Sequence, residues 1–222
     1  DAYVEDALRP NVAGRFADML IAAVSHPLML HYLDQASSVG PGSAYSQNGQ
    51  RKVGLNENLA REIMELHTLG VDGPYSQDDV RQLAELLTGL TVTGDGTQKF
   101  LPNRAEPGPE KVLGRTYGGA SARLADIHAV LSDLARHPAT ARHVATKLAR
   151  HFVSDRPDPD LVAMLEGRFL ETDGDLSAVY EALLRHPASW ELSGGNIKQP
   201  AVFVGSALRA MQATARDLDG LK

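Results

Sequence analysis

The sequence predicts an all-α fold, a multi-helix orthogonal bundle built as a single helical domain over residues 1–222. Apolar residues recur at helical spacing through most of the chain, as in Val12, Phe16, Met19, Leu20 and Val24. Helix-start residues fall between these runs: Pro138, Pro159 and Pro200 suit first-turn positions, and Asp160 and Asp175 suit N-termini. One stretch breaks the pattern. Residues 91–120 carry Gly94, Gly96, Pro102, Pro107, Gly108, Pro109, Gly114, Gly118 and Gly119, and read as an insertion. Its β-prone pieces, Leu90–Thr93 and Lys111–Tyr117, are expected to pair as one short hairpin. A long insertion of this kind often serves as a functional loop or lid.

In order, a helix over 12–24 stops at Ser25-His26-Pro27, because proline lacks a donor and disfavours helix just before itself. A second piece runs from Leu28 to Asp34. Residues 37–53 are rich in Gly, Ser, Asn and Gln and read as an exposed, mobile loop. The central helix follows at 56–68, with Gly70 as its C′ residue. Ser76 caps the next helix, with Asp78 and Asp79 in its first turn. Val80, Leu83, Leu87 and Leu90 make its apolar stripe, and Arg81 and Glu85 an i,i+4 pair. Helices are then expected over 123–136, 138–152, 158–171, 175–186 and 198–216.

The bulk numbers narrow the function classes. The chain is 43% hydrophobic and 23% charged, an ordinary globular balance, and has no cysteine. Disulfides and thiolate chemistry are therefore excluded. A net charge of -6 with mixed signs gives no basic nucleic-acid footprint. No apolar run approaches the roughly 20 residues a membrane-spanning helix needs. The start at Asp1, with no initiator Met and no signal-peptide pattern, is what a processed product or a fragment would show.

His-Pro follows an apolar helical run three times, at His26, His137 and His186. A C-terminal histidine is favoured by the helix dipole, and the proline stops that helix or starts the next. Unequal intervals make this a reused turn and not a solenoid repeat.

The densest chemistry lies in Gly54–Gly70, which holds three glutamates, an arginine, two asparagines and a histidine. At about 100° per residue, Leu55, Leu59, Ile63 and Leu66 share a sector of about 80° and form the core face. Glu57, Arg61 and Glu65, spaced i, i+4, i+8, can form a salt-bridge ladder. Glu62 has no basic partner on its own helix and sits at the edge of the apolar face. Such a carboxylate finds a partner elsewhere, binds a metal or shifts its pKa, so a functional role and a buried ion pair both remain open. His67 lies roughly 160° round from Glu65 on a regular helix and joins the carboxylates only if the helix ends early. A divalent metal held by Glu62, Glu65 and His67 is the one cofactor this donor set suggests. Their spacing is neither Glu-x-x-His nor His-Glu-x-x-His.

Other motifs fail. Asp173-Gly-Asp175 begins like a calcium loop, but Ala178 and Leu184 occupy the sixth and twelfth positions. No nucleotide-binding glycine motif is present. Arg142-His143, Lys147, Arg150-His151 and Arg156 form a basic stretch, read as a solvated face with an anion site as the lesser alternative. Trp190 is expected to anchor the core.

Asn56–Gly73 (NENLAREIMELHTLGVDG), Tyr75-Ser-Gln-x-Asp-Val80 and Leu87-Thr-Gly89 closely resemble the hallmark of a bacterial domain-of-unknown-function family, number 1800. His26–Asp34, His137-Pro-Ala-Thr-Ala-Arg with Lys147 and Phe152, and Leu183–Trp190 with Lys198-x-Pro200 fit as well, so the resemblance covers nearly the whole chain. Leu90 departs from the family's Trp after Thr-Gly, and Pro74 from its Gly. The resemblance implies a mostly helical bacterial protein, exported or periplasmic, with an envelope protein as partner. Composition leaves a cytoplasmic location equally open. Family members are generally longer, so a missing N-terminal part is expected to pack on this chain. The family supplies no activity.

Two functions follow as expectations. The first is a hydrolase- or lyase-type enzyme with Glu62, Glu65 and His67 as catalytic candidates and Asp34, Asn56 and Arg61 binding substrate. The second is a non-catalytic cell-envelope scaffold or binding module, in which the same groups form a buried structural network.

Overall fold

The computed structural model describes residues 2–48, 54–191 and 198–214. After a π-helical turn at Val4–Leu8, ten α-helices follow among these residues: α1 Phe16–Ser25, α2 Pro27–Tyr32, α3 Ala44–Gln47, α4 Asn58–Glu62, α5 Gln77–Leu87, α6 Leu124–Ala135, α7 Pro138–Phe152, α8 Pro159–Glu171, α9 Leu176–Arg185 and α10 Pro200–Ala210. The fold is mostly helical, as expected. It also contains two small antiparallel hairpins where one was expected.

A continuous apolar cluster runs through α1, α2 and α4 to α9, centred on Leu30, Leu59, Ile63, Leu83, Leu87, Leu131 and Phe169. Ala141, Ala145 and Ala149 line one face of α7, all fully buried. Their small side chains suit the close packing of α7 on α8. Ser76 caps α5 as predicted, and Asp79 turns that cap into a full capping box; the predicted Arg81–Glu85 pair forms at 3.1 Å.

The hairpin partners are a correction. β1 (Leu90–Val92) pairs with β2 (Gln98–Phe100) across a short Gly-containing turn, not with Lys111–Tyr117. Lys111–Tyr117 itself folds back, with β3 (Gly108–Val112) pairing with β4 (Arg115–Gly119). Leu113 and Gly114 form its two-residue turn with φ of 48° and 80°, the positive angles a type I′ turn requires. The Leu113 N–H donates to Asp79 Oδ1 at 2.7 Å, which fixes this costly residue against α5. Closing each short loop locally costs less entropy than the long pairing the propensities suggested. Val112 and Tyr117 are buried, so the insertion is part of the packed body.

Other expectations change too. Residues 37–48 of the predicted exposed loop bury Ser38, Val39 and Ser43 and contain α3, while 49–53 lie outside the described residues. The last helix, expected to 216, is described only as far as Ala210, and residues past 214 lie outside the description. Trp190, expected to anchor the core, is 70% exposed in the short 3-10 turn after α9, and its indole N–H donates to the Leu184 carbonyl at 2.7 Å.

His26 and His186 do close α1 and α9 as C-caps, as expected, but the His-Pro joints also act forward on the next segment. His26, His137 and His186 are N-caps of the helical segments that follow. Each Nδ1 accepts the backbone N–H two residues on, from Leu28, Ala139 and Ala188, at 3.1 to 3.2 Å. The dipole explanation needs a charged imidazole. This geometry needs a neutral one with an unprotonated Nδ1.

Candidate functional site

The central helix does not stay regular. α4 passes at Ile63 into a π-helical turn that ends at His67. Three of its carbonyls find partners outside the helix pattern: Thr68 Oγ1 donates to Ile63 O at 2.7 Å, and the Gly70 N–H to Met64 O at 3.1 Å. From α7, His143 Nε2 donates to Leu66 O at 3.1 Å. Gly70 follows with φ of +89°, and a Cβ there would lie 3.0 Å from His143 Nδ1. The widened turn also rotates the face. Leu59 and Ile63 are buried as expected, but Leu66, expected in the core, is 48% exposed.

The sequence candidates separate in space. Arg61 lies 3.5 Å from Glu57 and 3.1 Å from Glu65, so the expected ladder forms. Gln77 closes it, accepting from Arg61 and donating to Glu57, each at 2.9 Å. Asn56 is a clip, donating to Leu33 O at 3.0 Å while its Oδ1 accepts from the Asn58 N–H. Asp34 is exposed in a left-handed conformation, φ 56°, at the start of a short 3-10 turn. Glu62 is half-buried and has no hydrogen-bond or ion-pair partner among the described residues. His67 leaves this group for another wall of the protein. Among the described residues, no three His, Asp or Glu side chains gather as a metal site, so Glu62, Glu65 and His67 do not converge.

His67 lines a cleft of about 1020 Å³ between α1, α7, the N-terminal segment and the start of α10. Phe16, Met19, Leu20 and Ala23 come from α1, Leu66 and His67 from the π turn, and His143, Val144, Lys147, Leu148, Arg150 and His151 from α7. Phe152, Asp155, Lys198 and Val202 complete its mouth. His67 Nδ1 is buried with no partner among the described residues. Burial, helped by the charge of Lys147, lowers the His67 pKa and favours the neutral ring. Burial, then Lys147, also lowers His143, against the Leu66 hydrogen bond that raises it. The cleft thus offers two neutral imidazoles, an apolar floor and several cations at its rim.

The family described as Protein of unknown function (DUF1800) matches residues 1–222. The chain belongs to that family. No curated protein and no solved structure matches it.

In this DUF1800 chain the hallmark stretch builds one wall of the cleft through Leu66 and His67. The opposite wall was undervalued from sequence. His143, Lys147 and His151 are spaced i, i+4, i+8, which puts them on one face of α7. That spacing was the available signal for a shared site within the basic stretch. Arg142, off that face, pairs with Glu166 at 3.3 Å instead. The contributions of Phe16, Met19 and Lys198 had no local signal.

Proposed function

We propose that this DUF1800 protein is a ligand-binding module whose site is the cleft at the end of the central helix. The observation that carries the reading is His67, which lines a cleft of about 1020 Å³ and whose buried Nδ1 lacks a partner among the described residues. Buried polar groups are normally satisfied, and an unsatisfied one in the wall of a cavity marks a candidate functional site. The volume is at the upper end for small-molecule sites, roughly 300–1,000 Å³. An envelope location and an envelope protein partner, implied by the family resemblance, belong to the same proposal.

A hydrolase- or lyase-type enzyme is the second reading, and His67 favours it. A neutral imidazole in a cleft can take up a proton during a reaction. Glu62 and Glu65 remain its acid/base candidates, although they do not line the cleft.

A thermal-shift screen of small molecules against wild type, Ala23→Phe and Glu62→Gln tests both. Ala23 lines the cleft, so its enlargement should abolish ligand-induced stabilisation while the fold survives. Ligands that stabilise Ala23→Phe as much as wild type would sink the cleft reading. Loss of ligand response in Glu62→Gln, with an unchanged melting temperature, would move the site to the central helix and favour the enzyme.

A further inference from the structure

We infer that the ligand of this cleft is a single-chain anionic amphiphile, a long-chain carboxylate whose tail lies on the apolar floor and whose head meets the cationic mouth. The inference rests on the cleft being the binding site and adds the chemical class of what enters it.

The two ends of the cleft differ. Phe16, Met19, Leu20 and Leu148 give the floor a hydrocarbon surface. Lys147, Arg150 and Lys198 are exposed at the mouth, and none has an ion pair among the described residues. Asp155 is the single carboxylate among the described lining residues and has an interaction of its own. The mouth therefore keeps a positive balance although the chain as a whole carries -6. Phe152 at 62% and Val202 at 54% exposure extend apolar surface to the rim beside those cations.

Each simpler occupant leaves part of this unused. A small hydrophilic anion would meet the cations but leave the floor in contact with water. A neutral hydrocarbon would cover the floor but make no use of the three cations at the mouth, which stay solvated. A carboxylate with a long apolar tail satisfies both, and charge-assisted hydrogen bonds to Lys147 and Arg150 would set its orientation.

The test measures binding of dodecanoate, dodecanol and inorganic phosphate, and co-sedimentation with anionic phospholipid vesicles. Wild type, Ala23→Phe and Lys147→Glu/Arg150→Glu are compared, each checked for cooperative unfolding. Dodecanoate should bind saturably, and dodecanol at least about tenfold more weakly, since hydrogen bonds to charged groups reach that size. Charge reversal should remove the preference, and Ala23→Phe the binding. Equal binding of dodecanoate and dodecanol overturns the inference, because the head is then not read. Phosphate binding alone, lost in Ala23→Phe, overturns the amphiphile but keeps the cleft as the site. Dodecanoate binding that Ala23→Phe leaves intact defeats both readings. Vesicle binding without monomer binding overturns the inference in favour of a membrane surface.

Discussion

His143 Nε2 donates to the carbonyl of Leu66 at 3.1 Å, joining two residues 77 positions apart and closing the end of the central helix. This hydrogen bond is solvent-exposed, so water can replace the lost donor and its net contribution is about 0.5–1.5 kcal/mol. His143→Leu should therefore lower the unfolding free energy, measured by urea denaturation, by about that amount. His143→Gln, which keeps a donor, should recover a large part of it. Equal losses in the two variants would show that packing, and not this hydrogen bond, matters at the position.

Gly70→Ala tests the same joint from the other side. The backbone there has φ of +89°, which costs a residue with a side chain roughly 1–2 kcal/mol. The added Cβ would also stand 3.0 Å from His143 Nδ1 and push on the ring. A lowered melting temperature should come with a shifted His143 imidazole signal by NMR. A melting temperature equal to wild type would contradict the geometry.

Acid should weaken the protein through its histidines. Burial lowers the pKa of His67, His137 and His143 below the ordinary value of 6.5. The unfolded chain then takes up protons first, so stability is full above 6.5 and is lost as pH falls through the folded values. His137 adds a specific loss, since a protonated Nδ1 cannot accept from Ala139. His137→Asn keeps a good cap and removes the titration, so it should flatten part of the urea-midpoint decline between neutral and mildly acid pH. His137→Ala should cost about 1 kcal/mol at neutral pH.

Glu110 acts in the opposite direction. It is 4% exposed on β3, and burial raises its pKa to about 7, with Glu85, Glu106 and Asp126 adding to the rise. A raised carboxyl contributes stability that is full below 4.5 and lost as pH rises through 7. Glu110→Gln should be close to wild type at pH 4.5 and more stable above neutrality, by on the order of 2–3 kcal/mol. An unchanged difference between the two pH values would mean Glu110 ionises normally.

Much of the helical frame was legible in the sequence. The Ser76 cap, the Arg81–Glu85 pair and the Glu57–Arg61–Glu65 ladder all formed as their spacing implied. The candidate site was legible only in part. His67 is in the cleft, whereas the basic stretch of α7 was read as a solvated face although the spacing of His143, Lys147 and His151 marks its cleft side. The floor was not legible, since Phe16 and Met19 look like any core residue until α1 is placed against α7.

By itself, the sequence determined the family, the helices from α5 to α9 to within a residue or so, and the charge ladders. Each local feature among these depends on contacts within about one helical turn, where backbone geometry alone sets which side chains meet. Tertiary structure decided the hairpin partners, the exposure of Leu66 and Trp190, and the transfer of His67 from the glutamates to the cleft. These outcomes rest on surfaces far apart in the chain, as with Leu66 and His143. Only packing chooses which of several competent surfaces come together, and that choice has no local periodicity to read.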